Sequence, residues 1–483
     1  MQYLSLAFAG FVAVLLPLYY ALPRRWNLRW GVLLAGSLFF YGCFGLKYLP
    51  FLLFTGVTVY LCGRLLEKSE KKKLLLILCA GVNLGLWFAV KVLPWALDKG
   101  NWLLGTDISL PSLPVAVGIS YFTLQAVGYL ADVYKGKIQP EQNFGKFLLF
   151  ISFFPGIVQG PISRYDKLMP ELTESKPFRE ENLFHGLVLI LLGLVKKMVI
   201  ADRLAPFVAA CFTGYRSLQG GILYLGAVGF ALQLYLDFSG CVDLCRGVSR
   251  LFGIQLMGNF NRPYLATSVK DFWGKWHISL SSWLKDYVYI PLGGNRKGTL
   301  RKYINLMLTF LVSGLWHGAG FQFFLWGILH GGYQILGDLL APWKEKCRAA
   351  LKISSGSLSH RILQTVITFQ LVTVAWIFFR AAGLREGLDY LQNMLTPCNL
   401  FAWTGQIGAM GIDPGYFPAL IAHLCLLFGV EIGTKSQDSA VAGILRQHGL
   451  IRWSFVLLML LDVVLLGAYG SGYSMSGFLY GGF

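Results

Sequence analysis

Charge is scarce in this chain, and negative charge scarcest: of 483 residues only 14% are charged, with 24 Asp and Glu against 42 Lys and Arg. A soluble domain is about one-quarter charged, so an ordinary water-soluble protein is excluded. Linker segments rich in Ser, Gly or Pro are missing, and so is any internal repeat, which leaves one membrane domain over 1–483. The cysteines are few, odd in number at nine, and scattered. Cys43, Cys62, Cys79 and Cys425 sit inside apolar runs, where a thiol behaves as a small hydrophobe. Cys241 and Cys245 share a helix face, but no second ligand pair is near them, so neither a disulfide framework nor a metal site follows. Nucleotide and hydrolase signatures are absent as well. Gly293-Gly-Asn-Arg-Lys297-Gly-Thr299 lacks the P-loop order, and there is no G-x-S-x-G, H-E-x-x-H or C-x-x-C.

What is present is apolar. Hydrophobic residues make up 55% of the chain and aromatic ones 15%, and the mean hydropathy is +0.57. A membrane span needs about 20 such residues. Twelve stretches qualify, near 3–22, 28–46, 48–66, 73–93, 113–133, 183–200, 221–240, 303–317, 320–340, 363–379, 416–433 and 453–470. The fold class is therefore all-α, polytopic, with about 11–12 transmembrane helices plus re-entrant and interfacial helices. The run 144–160, interrupted by Pro155, Gly156 and Gly160, reads as a broken or re-entrant element sheltered by protein. The first run starts without a basic region and has no small-residue cleavage site, so it reads as a retained span.

The net charge of +18 is then a positive-inside signal and not a nucleic-acid one. Arg24, Arg25 and Arg29 follow the first span, and Lys68, Lys71, Lys72 and Lys73 the third. Both loops are assigned to the cytoplasm, with the N-terminus outside. The same parity places 261–302, 344–361 and 435–452 inside, and 98–107 and 397–415 outside.

Polar groups at membrane depth mark function by default, because burying them is costly. The first such group is Asp237 in Gln233-Leu-Tyr-Leu-Asp-Phe-Ser-Gly240; the bland alternative is an interfacial acid capping a next helix from 241 onward. The second is His317 in Ser313-Gly-Leu-Trp316-His-Gly318, about 22 Å beyond the basic pair Arg301 and Lys302 on a straight helix. Its neighbouring glycines, 314, 318 and 320, are read as leaving the imidazole open to a small reacting group. The third is His330, in Trp326-Gly-Ile-Leu-His-Gly331, for which a hydrogen-bonded structural role is the stronger reading. The fourth is the stretch 271–298. In it Trp273, Trp276, Leu280, Trp283, Leu284 and Tyr287 recur at helical spacing, predicting one amphipathic interfacial helix. Residues 261–302 hold eight Lys or Arg and two Asp. Such a basic helix suits an anionic lipid surface or a polyanionic cosubstrate.

The stretch Asp271-Phe-Trp-Gly-Lys-Trp-His277-Ile-Ser-Leu-Ser-Ser-Trp-Leu-Lys-Asp-Tyr-Val-Tyr-Ile-Pro-Leu-Gly-Gly-Asn295-Arg296 resembles the signature of membrane-bound O-acyltransferases. The likeness is to the bacterial branch that holds the alginate and peptidoglycan O-acetylation membrane proteins. Tyr235-Leu-Asp-Phe-Ser-Gly240, Ser313-Gly-Leu-Trp-His317-Gly, Trp326-Gly-Ile-Leu-His330-Gly and Gly477-Phe-Leu-Tyr480 extend it, most densely over 230–335. Gly274 departs from the pattern, standing where a larger polar residue is usual, and the tail Phe478–Phe483 is less aromatic than is common.

The resemblance implies a helical fold in which a cytoplasmic and an outer funnel meet near two histidines. His317 falls on the catalytic position and His277 on the second histidine. It implies transfer of an acyl group, acetyl from cytoplasmic acetyl-CoA, across a bacterial cytoplasmic membrane towards an exported polysaccharide. No cofactor stays bound. An extracytoplasmic acetyltransferase and the polysaccharide acceptor are the implied partners, beside membrane lipids. An imidazole with an ordinary pKa near 6.5 can take a hydroxyl proton as general base. His317 is assigned that role, and His277 positions donor or acceptor. Trp276, Asp237, Trp316, Asn295, Arg296, Lys297 and Arg262 are candidate donor-binding residues, and Lys270, Lys275, Arg301 and Lys302 add to a phosphate-attracting mouth. D-alanyl transfer from a carrier protein, a lipid acyltransferase and a proton-coupled transporter are the alternatives.

Overall fold

The computed structural model describes residues 1–109, 113–354, 356–397 and 415–469, and within them every regular element is a helix. The Gly477-Phe-Leu-Tyr480 motif and all but the ends of the 397–415 loop lie outside the described residues. Each of the twelve apolar stretches forms helix. Six helices are long and apolar enough to cross a bilayer: Leu46–Lys68, Lys72–Lys91, Glu180–Thr213, Gly220–Leu251, Leu358–Arg380 and Gly449–Leu466. Phe417–Gly433 and Gln437–Leu445, bent by 91° at their junction, make a seventh if taken together. Leu6–Ala21 has only 16 residues, which at 1.5 Å each fall short of a hydrocarbon core of about 30 Å.

The chain divides into two compact units, one of Met1–Gly193 with Cys241–Gly258, the other of Leu194–Gly240 with the described part of 259–473. The first unit holds α1 (Leu6–Ala21), α2 (Arg29–Gly42), α3 (Leu49–Lys68), α4 (Lys72–Lys91), α5 (Leu93–Leu104), α6 (Ile119–Tyr134), α7 (Phe144–Ser152), α8 (Tyr165–Thr173) and nearly all of α9 (Glu180–Leu194).

In this unit the break read from Pro155, Gly156 and Gly160 is present. Helix α7 stops at Ser152, and residues 153–160 turn inside the protein with Phe153, Phe154 and Ile157 buried. Non-helical backbone at such depth must find its partners within the protein. Here the Tyr3 hydroxyl donates to the carbonyls of Phe154 (2.9 Å) and Pro155 (3.2 Å), and Ser37 Oγ accepts from the Phe154 N–H at 3.1 Å. Gly118, at φ +73°, lets the turn approach so closely that a Cβ there would stand 2.1 Å from the Ile157 carbonyl.

The second unit follows as α10 (Asp202–Thr213), the first part of α11 (Gly220–Leu251), α12 (Val269–Lys275), α13 (Ile278–Leu284), α14 (Thr299–His317), α15 (Phe321–Leu339), α16 (Ala341–Ala350), α17 (Leu358–Arg380), α18 (Leu384–Met394), α19 (Phe417–Gly433), α20 (Gln437–Leu445) and α21 (Gly449–Leu466). A π-helical turn, Val195–Ala201, precedes α10.

Three sequence expectations are corrected here. Helix α11 does not end near 240; it runs 32 residues to Leu251, so Asp237 is a mid-helix residue and caps nothing. The expected single amphipathic helix over 271–287 is instead α12 and α13, broken at Trp276 and His277 and followed by a π turn over Lys285–Tyr289. Its ring stripe is buried, with Trp273, Trp276 and Trp283 at most 8% exposed, so those rings serve as core and not as a membrane anchor. The glycines around His317 do not open a space. A Cβ on Gly314 would meet the Phe323 carbonyl oxygen at 2.3 Å, and one on Gly327 the Phe310 carbonyl oxygen at 2.5 Å. They let α14 and α15 pack backbone against backbone.

Candidate active site

The elbow between α12 and α13 is built by local rules. Ser268 caps α12, its Oγ accepting from the Asp271 N–H at 3.1 Å, the preferred chemistry for that position. Asp271 accepts in turn from the Thr267 N–H and pairs with Lys275 at 2.8 Å. At the break, His277 adopts φ +43°, the left-handed region that a non-glycine residue occupies only when its surroundings enforce it. The enforcing residue is Asn259. Its carbonyl accepts from the Ile278 N–H and its Oδ1 from the Ser279 N–H, both at 3.0 Å. The strain turns the imidazole of His277 into a fully buried position, 4.8 Å from the Phe238 ring and 5.9 Å from Trp316.

His317 arrives from the other side as the last residue of α14. It is 2% exposed and ringed by Trp316 at 4.9 Å, Trp326 at 5.0 Å and Phe379 at 5.3 Å. His277 in the elbow and His317 at the helix end, 40 residues apart in the chain, thus flank one indole, that of Trp316. His330, on α15, is also fully buried; its Nδ1 accepts from Trp273 Nε1–H at 3.2 Å.

A cavity of about 950 Å³ lies between the α12–α13 elbow and α14. Helix α14 lines it with Lys302, Leu306, Thr309, Phe310 and Ser313, a stripe at helical spacing that spans about 16 Å. His317 lies one turn beyond Ser313. Among the described residues, five cations line the cavity, Lys270, Lys285, Arg296, Lys297 and Lys302, against a single acid, Asp338, and Lys302 and Asp338 pair with each other. A volume of this size is within the range of small-molecule sites.

Of the residues singled out in the sequence, Asn295, Arg296, Lys297, Lys270 and Lys302 line this cavity. Lys275 is engaged by Asp271. Arg262 points elsewhere, donating to the carbonyls of Glu431 and Thr434 at the end of α19. Trp276 is a core ring, fully buried between Phe272 at 5.5 Å and Trp376 at 5.1 Å. Asp237 belongs to an ion cluster: Lys197 Nζ lies 2.7 Å from its Oδ1 and 2.8 Å from Oδ1 of Asp202. Sequence reasoning overlooked Lys197 and Asp202, and it counted Lys285 in the basic stretch without assigning it to the mouth. The signal for the first pair was available, since Lys196-Lys197 and Asp202 interrupt an otherwise apolar run.

Buried histidines packed beside a cationic cavity, in a helical protein with six helices apolar enough to cross a bilayer, are the features of a membrane enzyme. Residues 134–366 match the membrane-bound O-acyltransferase family. A peptidoglycan O-acetyltransferase of Helicobacter pylori is 35% identical over 402 residues, 77% of this chain and 74% of that one. A probable alginate O-acetylase AlgI of Pseudomonas aeruginosa is 35% identical over 449 residues, 89% of this chain and 82% of its own. A teichoic acid D-alanyltransferase of Bacillus subtilis is 29% identical over 54% of this chain and 68% of that one. The chain belongs to the membrane-bound O-acyltransferase family and is an acyltransferase.

The ion cluster generates a prediction. Removing one partner of a buried ion pair costs about 3–5 kcal/mol, because the remaining charge stays buried. Lys197→Met should therefore lower stability by about that much in a detergent thermal-unfolding assay. Adding Asp237→Asn to that variant should recover part of the loss; no recovery would show that Asp237 is not what Lys197 stabilises.

Proposed function

We propose that this acyltransferase takes an acetyl group from acetyl-CoA at the cytoplasmic face and passes it through the membrane for O-acetylation of an exported or cell-surface polysaccharide. The observation that carries the reading is the cavity, whose five cations suit a polyanionic donor and whose α14 stripe ends one turn short of His317. The O-acetylating names of the peptidoglycan and alginate relatives support acetyl as the group transferred. An extracytoplasmic acetyltransferase is the proposed partner, receiving the group or handing it to the polymer. The proposed location is the bacterial cytoplasmic membrane with the N-terminus outside.

In the proposed reaction an acceptor hydroxyl attacks the thioester carbonyl. His317 accepts the hydroxyl proton as the new C–O bond forms; the C–S bond then breaks and the proton passes to the departing thiolate, so CoA leaves as its thiol. His277, held by the Asn259 clamp, orients donor or acceptor across Trp316. Asn295, Arg296 and Lys297 hold the donor's phosphates. The roles of Trp276, Asp237 and Arg262 are structural in this scheme: ring packing, the Lys197 ion cluster and the α19 terminus.

A general base contributes about 10²–10⁴-fold. His317→Ala should lower transfer from radiolabelled acetyl-CoA by at least about 10²-fold in matched amounts of folded protein, and His277→Ala should also be severely impaired. Wild-type transfer by His317→Ala would remove it from the chemistry. Label supplied on a D-alanyl carrier protein and accepted in place of acetyl-CoA would favour the D-alanyl alternative.

Replacing Arg296 and Lys297 together by Gln should raise the apparent KM for acetyl-CoA and flatten its dependence on salt, with kcat little changed, since attraction for a polyanion is screened by ions. A lowered kcat at unchanged KM would contradict the assignment.

Sidedness is tested with single cysteines. One introduced at Gly298 should resist an impermeant thiol reagent in intact cells, whereas one at Thr106 should react. Labelling at 298 from outside would put the cationic cavity in a compartment without acetyl-CoA, and the donor reading would fail.

A further inference from the structure

Trp273 and Phe310 both line the donor cavity and are themselves 8% and 9% exposed. Their rings meet edge to face at 5.3 Å. Behind them the interior is closed: Trp326 packs on Trp273 at 5.5 Å and on His317 at 5.0 Å, and Trp326, Trp376 and His330 are at most 1% exposed. An acyl chain whose thioester has reached His317 therefore meets rings, and aromatic interiors are packed too tightly to yield space to added methylenes.

His330 is what orients the wall. Its ring lies 5.0 Å from Trp273 and 6.2 Å from Phe310. Because Nδ1 accepts the hydrogen bond from Trp273 Nε1–H at 3.2 Å, the imidazole carries its hydrogen on Nε2. That Nε2 is buried and makes no hydrogen bond among the described residues. Packing alone would be better served at this position by an apolar side chain, since a buried donor without an acceptor is costly. Beside its ring contacts, the imidazole makes with Trp273 a directional bond that no apolar side chain could supply.

We propose that His330 is a positioning residue whose hydrogen bond to Trp273 fixes that indole, with Phe310, as the inner wall of the donor cavity, and that this wall restricts the enzyme to acetyl and its close homologues. The proposal rests on the acyl-CoA donor reading. An apolar pocket discriminates by about 10–200-fold per methylene, so the effect is large enough to read as a ratio.

The test measures kcat/KM of the purified full chain with acetyl-, butyryl- and octanoyl-CoA. Wild type should prefer acetyl over octanoyl by more than about 100-fold. Trp273→Ala should cut that preference at least about ten-fold, and Phe310→Leu, a milder opening of the same wall, should move it the same way. His330→Leu should broaden the preference also. His330→Asn, which sets a carbonyl oxygen near the place of Nδ1, should restore it; a merely structural histidine would not give this pattern. An unchanged preference in folded His330→Leu and Phe310→Leu overturns the inference and leaves the donor reading standing. Equal use of octanoyl-CoA by wild type also overturns it. Failure of wild type to use any acyl-CoA overturns the donor reading and this inference together.

Discussion

In a protein built for a bilayer, no water stands ready to satisfy a stray polar group, and most of what is irregular here answers to that constraint. Lys197 is held between Asp237 and Asp202 at 2.7 and 2.8 Å because a lone ammonium at 2% exposure would not be tolerated. The turn at 153–160 is stitched by Tyr3 and Ser37. At the end of α21, where carbonyls lose their helical partners, Arg203 Nη2 donates to Leu466 and Gly467 at 3.1 and 3.0 Å while its guanidinium lies over the Tyr416 ring. Each device spends a charged or hydroxyl side chain on backbone or counter-charge, and none of these groups is free for chemistry.

The same constraint explains why the elements were legible in the sequence and the site only partly. Apolar runs of 15 to 20 residues have one structural outcome in a membrane, so the helices could be read directly, and Pro155 with the glycines of 144–160 gave away the break. What could not be read was pairing across the chain. Asp237 looked like a helix end because its partner, 40 residues earlier, has no local signature. Arg262 carried the same charge as Arg296, yet only the fold decides that one meets the carbonyls of α19 and the other a cavity. The ring stripe of 271–287 has helical spacing in either case. The left-handed turn at His277 depends on Asn259, whose hydrogen bonds to Ile278 and Ser279 no periodicity reveals.

The glycines of α14 and α15 show a related ambiguity. A glycine beside a histidine can mean room for a substrate or room for a neighbouring backbone, and composition does not distinguish them. Here Gly314 and Gly327 face carbonyl oxygens of the partner helix at 2.3 and 2.5 Å from where a Cβ would be. Their contribution to the site is indirect. By drawing α15 against α14 they bring Trp326 onto His317 and His330 beneath Trp273, which is how a packing feature becomes the wall of a cavity.

Distance then separates attraction from bond-making. The stripe of α14 between Lys302 and Ser313 covers about 16 Å, roughly two screening lengths at physiological salt where water fills the cavity. A cation at the Lys302 end therefore contributes little field at His317, although it can still attract an anion to the cavity. The histidines, by contrast, lie among tryptophan and phenylalanine rings, where dipoles and hydrogen bonds are poorly screened and small displacements matter. The rings of Trp316, Trp326 and Phe379 within 5.3 Å of His317 thus give it surroundings unlike those of the cationic cavity one turn away.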